Sequence, residues 1–566
     1  MQMNCNADDR YRHKYKILGR NVDYISLQKI IMEKEMTSIS IKGLMKNHRL
    51  MSISVIVLSI LVSLGTVMIG YLLMELLQVD KVNDSYQLLF NWTIKLLILA
   101  VIYTIIRYTT SKLQAKLMKN WIIESKEIIS QKITHMNYFD VANTPAGEFV
   151  SWYSNDMEKI VSNYFQPFFT IVSNATLAVF SIIAIFYINY ILALSTVGLL
   201  ILMTIFPMFT GRQVSFATDG LSKSQEKYVD KMSGTMMGYE QFKNFNAFTW
   251  MREMIHKSNE DVEEKRYTYN IKYAIVQNGM IFLNNIAQIV LIAISVYLIN
   301  KGVVELGVVL SIVVLSGKFF SSTIGLLETS VQFSSVKGII DKLVFEDKEN
   351  KTAYPKEIAK LTAENCKAVL GENEIDIEDV VINKNDKCAI TGPSGRGKST
   401  LLKMLLGKVA NYEGNLKINH ASVDDLKGGD FSDSVTYLTQ DPYVFNASIR
   451  ENICMGENFS DEEIWRAIKL VRAENFIEKL PDGLDTVIEN MGKNISGGEK
   501  QRIVLARGII RQNNILILDE ALSAIDVDTS NEILEELVKN PLLTLIIISH
   551  HLNENQYDKF NKVVKL

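Results

Sequence analysis

The sequence predicts an α-helical transmembrane bundle followed by an α/β domain, and three observations predict it. The first 326 of the 566 residues carry six stretches long and apolar enough to cross a bilayer as helices. The second half alternates short apolar strands with amphipathic helices. Within that half, Gly392-Pro393-Ser394-Gly395-Arg396-Gly397-Lys398-Ser399-Thr400 fits the P-loop pattern G-x-x-x-x-G-K-[ST].

The six spans fall at about 51–77, 88–108, 164–188, 190–210, 272–299 and 303–326. The fourth follows the third after only Asn189-Tyr190, so these two form a tight hairpin across the membrane. Basic residues set the orientation. Lys112, Lys116, Lys119, Lys126 and Lys132 lie between spans two and three, and Arg212, Lys223, Lys227, Lys231 and Lys243 between four and five. Only Lys81 and Lys301 lie on the other side. Both long connections and both termini are therefore expected in the cytoplasm of a bacterial cell, with the chain multi-pass in the plasma membrane.

The two long connections are rich in helix formers and read as spanning helices that continue into the cytoplasm and turn back. The expected turns are Asn137-Tyr138-Phe139-Asp140 with Thr144-Pro145-Ala146-Gly147-Glu148, and Gly234-Thr235-Met236-Met237-Gly238-Tyr239-Glu240. Aromatic, methionine and small residues at these tips suit docking into a groove on a partner domain; the alternative is a solvent-facing helical hairpin. Residues 336–364 read as a charged linker and 365–566 as the α/β domain, after a segment 1–49 and a membrane domain 50–335. Residues 1–35 show neither periodicity nor motif and read as a tail.

A net charge of −3 gives no nucleic-acid footprint. Cys5, Cys366, Cys388 and Cys454 lie outside the spans without metal-like spacing and read as reduced thiols. Intramembrane charge is costly, so Glu75, Lys95, Glu305, Lys318 and Glu328 stand out. Glu75 and Glu305 lie near span ends and can reach headgroups. Lys318 with Asn278, Asn284, Asn285 and Gln288 can line a substrate cavity, although hydrogen bonding between helices explains the amides equally well.

The P-loop turns its backbone N–H groups inward around phosphate oxygens. Lys398 adds a charge on the β- and γ-phosphates, and the Ser399 hydroxyl can complete a Mg²⁺ shell. The helix that follows points its positive dipole end at the same phosphates. A second apolar run, Ile515-Leu516-Ile517-Leu518, ends in Asp519 and Glu520. Asp519 can hold the metal directly or through water, and Glu520 can orient the attacking water or act as general base. His550 follows Leu545-Ile546-Ile547-Ile548, at a strand end where α/β ligand crevices lie, and can reach the γ-phosphate.

The P-loop, Gln440, Ile495-Ser496-Gly497-Gly498-Glu499-Lys500-Gln501-Arg502, Asp519-Glu520, Ser523-Ala524-Ile525-Asp526 and His550, in that order, resemble the nucleotide-binding domain of ABC transporters. Ile495 stands where that family usually has Leu. Phe445-Asn446-Ala447-Ser448-Ile449-Arg450-Glu451-Asn452-Ile453 and Phe476-Ile477-Glu478-Lys479-Leu480-Pro481-Asp482-Gly483 are similar to the exporter pattern.

The resemblance implies an exporter-type half-transporter: a P-loop NTPase domain with a helical signature subdomain behind six spans, its cytoplasmic tips serving as coupling helices. It assigns Gln440 to the metal and catalytic site with Lys398, Ser399, Asp519, Glu520 and His550, and Asp526 to the nucleotide. Ser496, Gly497 and Gly498 would close on the γ-phosphate held by a second half-transporter, identical or a sister chain. ATP and Mg²⁺ are the implied cofactors, and a drug, lipid or peptide the implied cargo. Uptake of a metal chelate, or a sensor with vestigial ATPase, remain alternatives.

Two departures from the family pattern carry expectations. Exporter domains usually place an aromatic ahead of the P-loop to stack on adenine, yet none lies between Cys366 and Thr391, and Tyr354 is far upstream. Weak adenine discrimination and a high KM for ATP are expected. The sequence ends at Lys562-Val563-Val564-Lys565-Leu566 where the family continues with a glycine turn and a helix, which is expected to loosen the domain edge. The absence of a peptidase domain ahead of the spans lowers the expectation of leader-cleaving peptide export.

Overall fold

The computed structural model describes residues 39–76, 85–136, 138–343, 354–370, 373–393, 396–409, 411–426, 431–489, 492–548 and 557–565. Within it the chain forms two compact units. The first comprises 1–132 and 147–346; the second comprises 133–146 and 347–566.

Six long helices build the first unit: α1 (Arg49–Leu76), α2 (Ser85–His135), α3 (Gln166–Ile188), α4 (Tyr190–Met237), α5 (Phe248–Asn300) and α6 (Val308–Leu343). All six are long and apolar enough to cross a membrane. Helices α2, α4 and α5 run on well past their apolar stretches as polar extensions, as the sequence predicts. The inner faces of α1, α3, α4, α5 and α6 meet in a core of Val67, Ile185, Leu192, Leu291, Ile312, Leu315 and Phe320. Along α2, Leu97, Ile98, Val101 and Ile105 are all more than half exposed. An apolar face of that extent suits lipid or a second protein surface, not water.

Asn189 alone separates α3 from α4. Its extended backbone (φ −164°, ψ 129°) breaks the helix, and its side-chain Oδ1 accepts from the N–H groups of Ile191 at 2.8 Å and Leu192 at 3.4 Å. One residue thus ends one helix and caps the next. At the other end of α4, the turn comes at Gly238 and a short helix Tyr239–Asn244, so the tip lies a few residues beyond the expected 234–240. Phe242, Phe245, Trp250 and Met254 there line an apolar cavity of 540 Å³.

The second unit holds two sheets. The parallel sheet has the order β10 (Lys562–Lys565), β4 (Lys387–Thr391), β9 (Thr544–Ile548), β8 (Ile515–Asp519) and β7 (Val435–Leu438). β4, β8 and β9 are buried along their whole length, which is why they read as continuous apolar runs. The antiparallel sheet, which the sequence reading lacks, has the order β2 (Asn373–Ile377), β1 (Lys360–Leu370), β5 (Tyr412–Ile418) and β6 (Ala421–Ser422), with β3 (Val380–Asn383) also on β1. β1 begins at Lys360 and α6 runs to Leu343, so both ends of the charged segment 336–364 are ordered elements.

Candidate nucleotide site

The site lies at the carboxyl ends of β4 and β8, where parallel α/β sheets open a crevice. β4 delivers Gly392, after which Gly397 (φ +86°) precedes α7 (Lys398–Leu405). A left-handed backbone there suits glycine, because a Cβ would crowd the carbonyl. Lys398 is buried, and its Nζ donates to the carbonyls of Gly392 at 2.9 Å and Pro393 at 2.8 Å. The ammonium is thereby folded across the loop it serves. Arg396 is exposed, and Thr400 follows Ser399 in the first turn of α7. Ser394, Gly395 and His550 lie outside the described residues.

Ser399 Oγ donates to Asp519 Oδ1 at 2.9 Å, and Tyr437 Oη donates to Asp519 Oδ2 at 2.9 Å. Both oxygens of the buried Asp519 carboxylate are therefore engaged. Burial first, and the Asp519 charge second, push the Tyr437 phenol above its ordinary range. Tyr437 lies on β7, 82 residues before Asp519, and neither motif nor spacing points to it.

Glu520 adopts φ +52°, a left-handed conformation uncommon for a non-glycine residue, at the turn out of β8. Its N–H donates to the Ile548 carbonyl at 3.0 Å, which fixes that turn against the end of β9. Gln440 Nε2 donates to Glu520 Oε2 at 2.7 Å. The sequence-predicted residues Ser399, Asp519, Glu520 and Gln440 thus stand as two hydrogen-bonded pairs on adjacent residues of one strand end.

Ser496 caps α10 (Gly497–Ile509), which follows the helices α8 (Ile449–Cys454) and α9 (Asp461–Leu470). Its hydroxyl accepts from the Glu499 N–H at 3.3 Å, and Glu499 Oε2 accepts from the Ser496 N–H at 2.7 Å, a capping box. Ser496 and Gly497 are exposed at that helix N-terminus. A Cβ on Gly498 would stand 2.9 Å from the Ala524 carbonyl oxygen, so the helix approaches the 523–526 turn too closely for a larger residue. Asp526 caps α11 (Val527–Lys539), accepting from Thr529 N–H at 2.9 Å, and that bond holds its carboxyl below the usual range.

Gln501 is a further member that motif reading passes over as part of a run. It is buried; Oε1 accepts from the Ala524 N–H at 2.7 Å and Nε2 donates to the Glu520 carbonyl at 3.4 Å. Tyr354 is not at the site: its ring packs against Phe431, its hydroxyl donates to the Leu406 carbonyl at 2.9 Å, and burial pushes its phenol up to about 12.

Comparison with known proteins agrees with this architecture. The family described as "ABC transporter transmembrane region" matches residues 51–324, and that described as "ABC transporter" matches residues 377–523. A multidrug resistance ABC transporter ATP-binding and permease protein of Lactococcus lactis subsp. cremoris is 27% identical over 75% of this chain and 73% of its own. The mesentericin-Y105 transport/processing ATP-binding protein MesD of Leuconostoc mesenteroides is 26% identical over 93% and 74%. A solved structure of a bacterial Atm1-family ABC exporter with ATP bound has the same fold, with a TM-score of 0.78 over 92% of this chain and 93% of that one, at 18% identity. Six apolar helices and a nucleotide-binding α/β domain with the Ser496–Gly498 helix stand in one chain, and this chain belongs to the ABC transporter family as an exporter-type half-transporter that couples ATP hydrolysis to transport.

Proposed function

We propose that this chain pairs with a second half-transporter, identical or a sister chain, in the plasma membrane of a bacterial cell. In this reading both termini and the ATPase domain face the cytoplasm, and the substrate is a hydrophobic or amphipathic drug, lipid or peptide moved outward. The observation that carries it is the Ser399–Asp519 and Gln440–Glu520 pairing, 2.9 and 2.7 Å, in a chain with six spanning helices. The relatives' names, which speak of multidrug resistance and of mesentericin transport, favour outward movement over uptake of a metal chelate or a sensor role. The domain limits proposed are 50–335 for the membrane part, 336–364 for the connection and 365–566 for the cassette.

The donor set fits Mg²⁺: a hydroxyl on Ser399, a carboxylate on Asp519 and an amide oxygen on Gln440 are all hard oxygen ligands. Bound there, the ion would neutralise charge building on the phosphates. Lys398, with the loop 392–400, holds the phosphates, exchanging its bonds to Gly392 and Pro393 for phosphate oxygens. Glu520 orients the attacking water, with Gln440 setting the position of its carboxylate. Ser496, Gly497 and Gly498 present a helix N-terminus to the γ-phosphate of the second half, while His550 serves the γ-phosphate held by this chain's own loop and Asp526 the nucleotide. ATP then holds two cassettes together, and hydrolysis releases them.

The test is Glu520→Gln in the purified full chain. It is expected to retain ATP, lower turnover by roughly a hundredfold or more and accumulate as an ATP-bound dimer. Normal ATPase in this variant would remove Glu520 from the mechanism. Absence of ATP-driven accumulation of amphipathic dyes or lipids in inverted vesicles, with ATPase intact, would count against export.

A further inference from the structure

Lys408 follows the P-loop helix and points its ammonium into three aromatic rings. Its Nζ stands 4.7 Å from the ring centres of Tyr138, Phe431 and Tyr437 alike. A cation that close to a ring face is attracted by the ring quadrupole, and three rings leave it few other directions to face. Burial first, and the neighbouring Lys403 second, bring its pKa down to about 8.

Each ring belongs to a different part of the second unit. Phe431 lies just ahead of β7 and packs on Tyr354. Tyr437 lies on β7 and donates its hydroxyl to Asp519 Oδ2. Tyr138 opens the short helix Tyr138–Asn143, inside the segment 133–146 that joins this unit although both its flanks belong to the membrane helices. The cage therefore gathers one residue touching the metal-site carboxylate and one on the turn between the second and third spans.

We propose that Lys408 is a positioning residue: its ammonium pins the Tyr138 turn to Tyr437 through ring contacts, and so to Asp519 through the Tyr437 hydroxyl. The proposal rests on the nucleotide reading of Asp519. A change at that carboxylate that shifts the Tyr437 hydroxyl shifts the ring, and the shared cation carries the shift to Tyr138. The contact needs a cation and flat faces; it needs no particular hydrogen-bond geometry. Arg therefore serves at position 408 and an uncharged residue of equal length does not.

Hydrogen–deuterium exchange of the peptide spanning 133–146, in the full chain reconstituted in nanodiscs, tests this with ATP plus Mg²⁺ against ATP plus chelator. In the parent, Mg²⁺ is expected to change uptake in that peptide. In Lys408→Met the change is expected to shrink roughly threefold or more, with Lys408→Arg restoring it and Tyr437→Phe reducing it. Unaltered Mg²⁺-dependent uptake in Lys408→Met overturns the proposal, as does a Lys408→Arg variant no better than Met. A parent that hydrolyses ATP without a Mg²⁺-dependent change in 133–146 overturns it too. A parent that shows the change yet hydrolyses no ATP counts against the functional reading and leaves the pin standing, so the two fail separately. Where Lys408→Met fails to fold, Tyr138→Leu removes the same contact from the other side: a shrunken Mg²⁺-dependent change supports the pin, and an unaltered one overturns it.

Discussion

Gln501 and Glu520 are joined across the cassette. Gln501 Nε2 donates to the Glu520 carbonyl while its Oε1 takes the Ala524 N–H at 2.7 Å. A single buried amide thus ties the helix capped by Ser496 to the left-handed turn at Glu520 and to the turn at 523–526. Gln501→Leu keeps the volume and removes both bonds, leaving the Ala524 N–H unpaired. Turnover is expected to fall about tenfold for a loss near 1.4 kcal/mol, with ATP affinity changed much less. Gln501→Glu retains the acceptor for Ala524 and is expected to fall between the two. Steady-state ATPase with nucleotide titration reads both. A Leu variant with parental turnover would mean that the tie is packing only.

Asn452 is a structural counterpart, almost fully buried in α8. Its Oδ1 accepts from the Phe445 N–H at 2.8 Å and from Arg507 at 3.1 Å, and its Nδ2 donates to the carbonyls of Phe445, Ala447 and Ser448. Asn452→Leu strands these groups without solvent and is expected to cost about 2–3 kcal/mol. The melting temperature of the cassette should drop by roughly 5 °C or more. A change within a degree, read by fluorescence or calorimetry, would contradict the burden assigned to this amide.

Cys366, Cys388 and Cys454 are all buried, and burial pushes each thiol up, Cys388 to about 12. A thiol reacts as the thiolate, so a raised pKa keeps these groups protonated and inert at pH 8. Mass spectrometry after maleimide treatment of the native protein is expected to find these three unmodified, and all three modified after denaturation. Rapid native labelling of Cys388 at pH 8 would contradict its placement in β4.

The nucleotide base is the subject of a fourth prediction. With Tyr354 committed to the core through Phe431 and Leu406, it is not free to stack on adenine. Stacking is worth about 1–3 kcal/mol, so its loss predicts kcat/KM for ATP within roughly tenfold of that for GTP. Tyr354→Leu is expected to lower stability and leave that ratio unchanged. A strong preference for ATP, or a ratio altered by Tyr354→Leu, would show that adenine is held after all.

The spans, the strand ending in Asp519-Glu520 and the helix opening at Ser496 were legible because each is a local pattern. A lipid-length apolar run, an apolar strand ending in acids and a Ser-x-x-Glu cap announce themselves within a few residues. Tyr437, Gln501 and Lys408 were not, because their roles are made by partners distant along the chain, and Val435-Thr436-Tyr437-Leu438 alone reads as an ordinary half-buried strand. The antiparallel sheet was missed for a different reason. β1 shifts register between Glu364 and Lys367, and Asn365 takes φ +49° there, which breaks the alternation a strand is recognised by. Across the bulge Gly414 (φ +108°) passes so close that a Cβ would stand 2.3 Å from the Asn365 carbonyl oxygen. The device is readable only once both strands are side by side.

The Asn189 cap bears on how the protein is made. In the proposed orientation the loop between the third and fourth spans is translocated during insertion, and each unpaired backbone group such a loop carries resists that passage. Here the crossing loop is one residue, and its own side chain already satisfies two of the N–H groups that follow it. The third and fourth spans can therefore enter the bilayer together as a closed hairpin with hardly any polar chain to translocate. Asn189 is then as much a solution to biogenesis as to the finished fold.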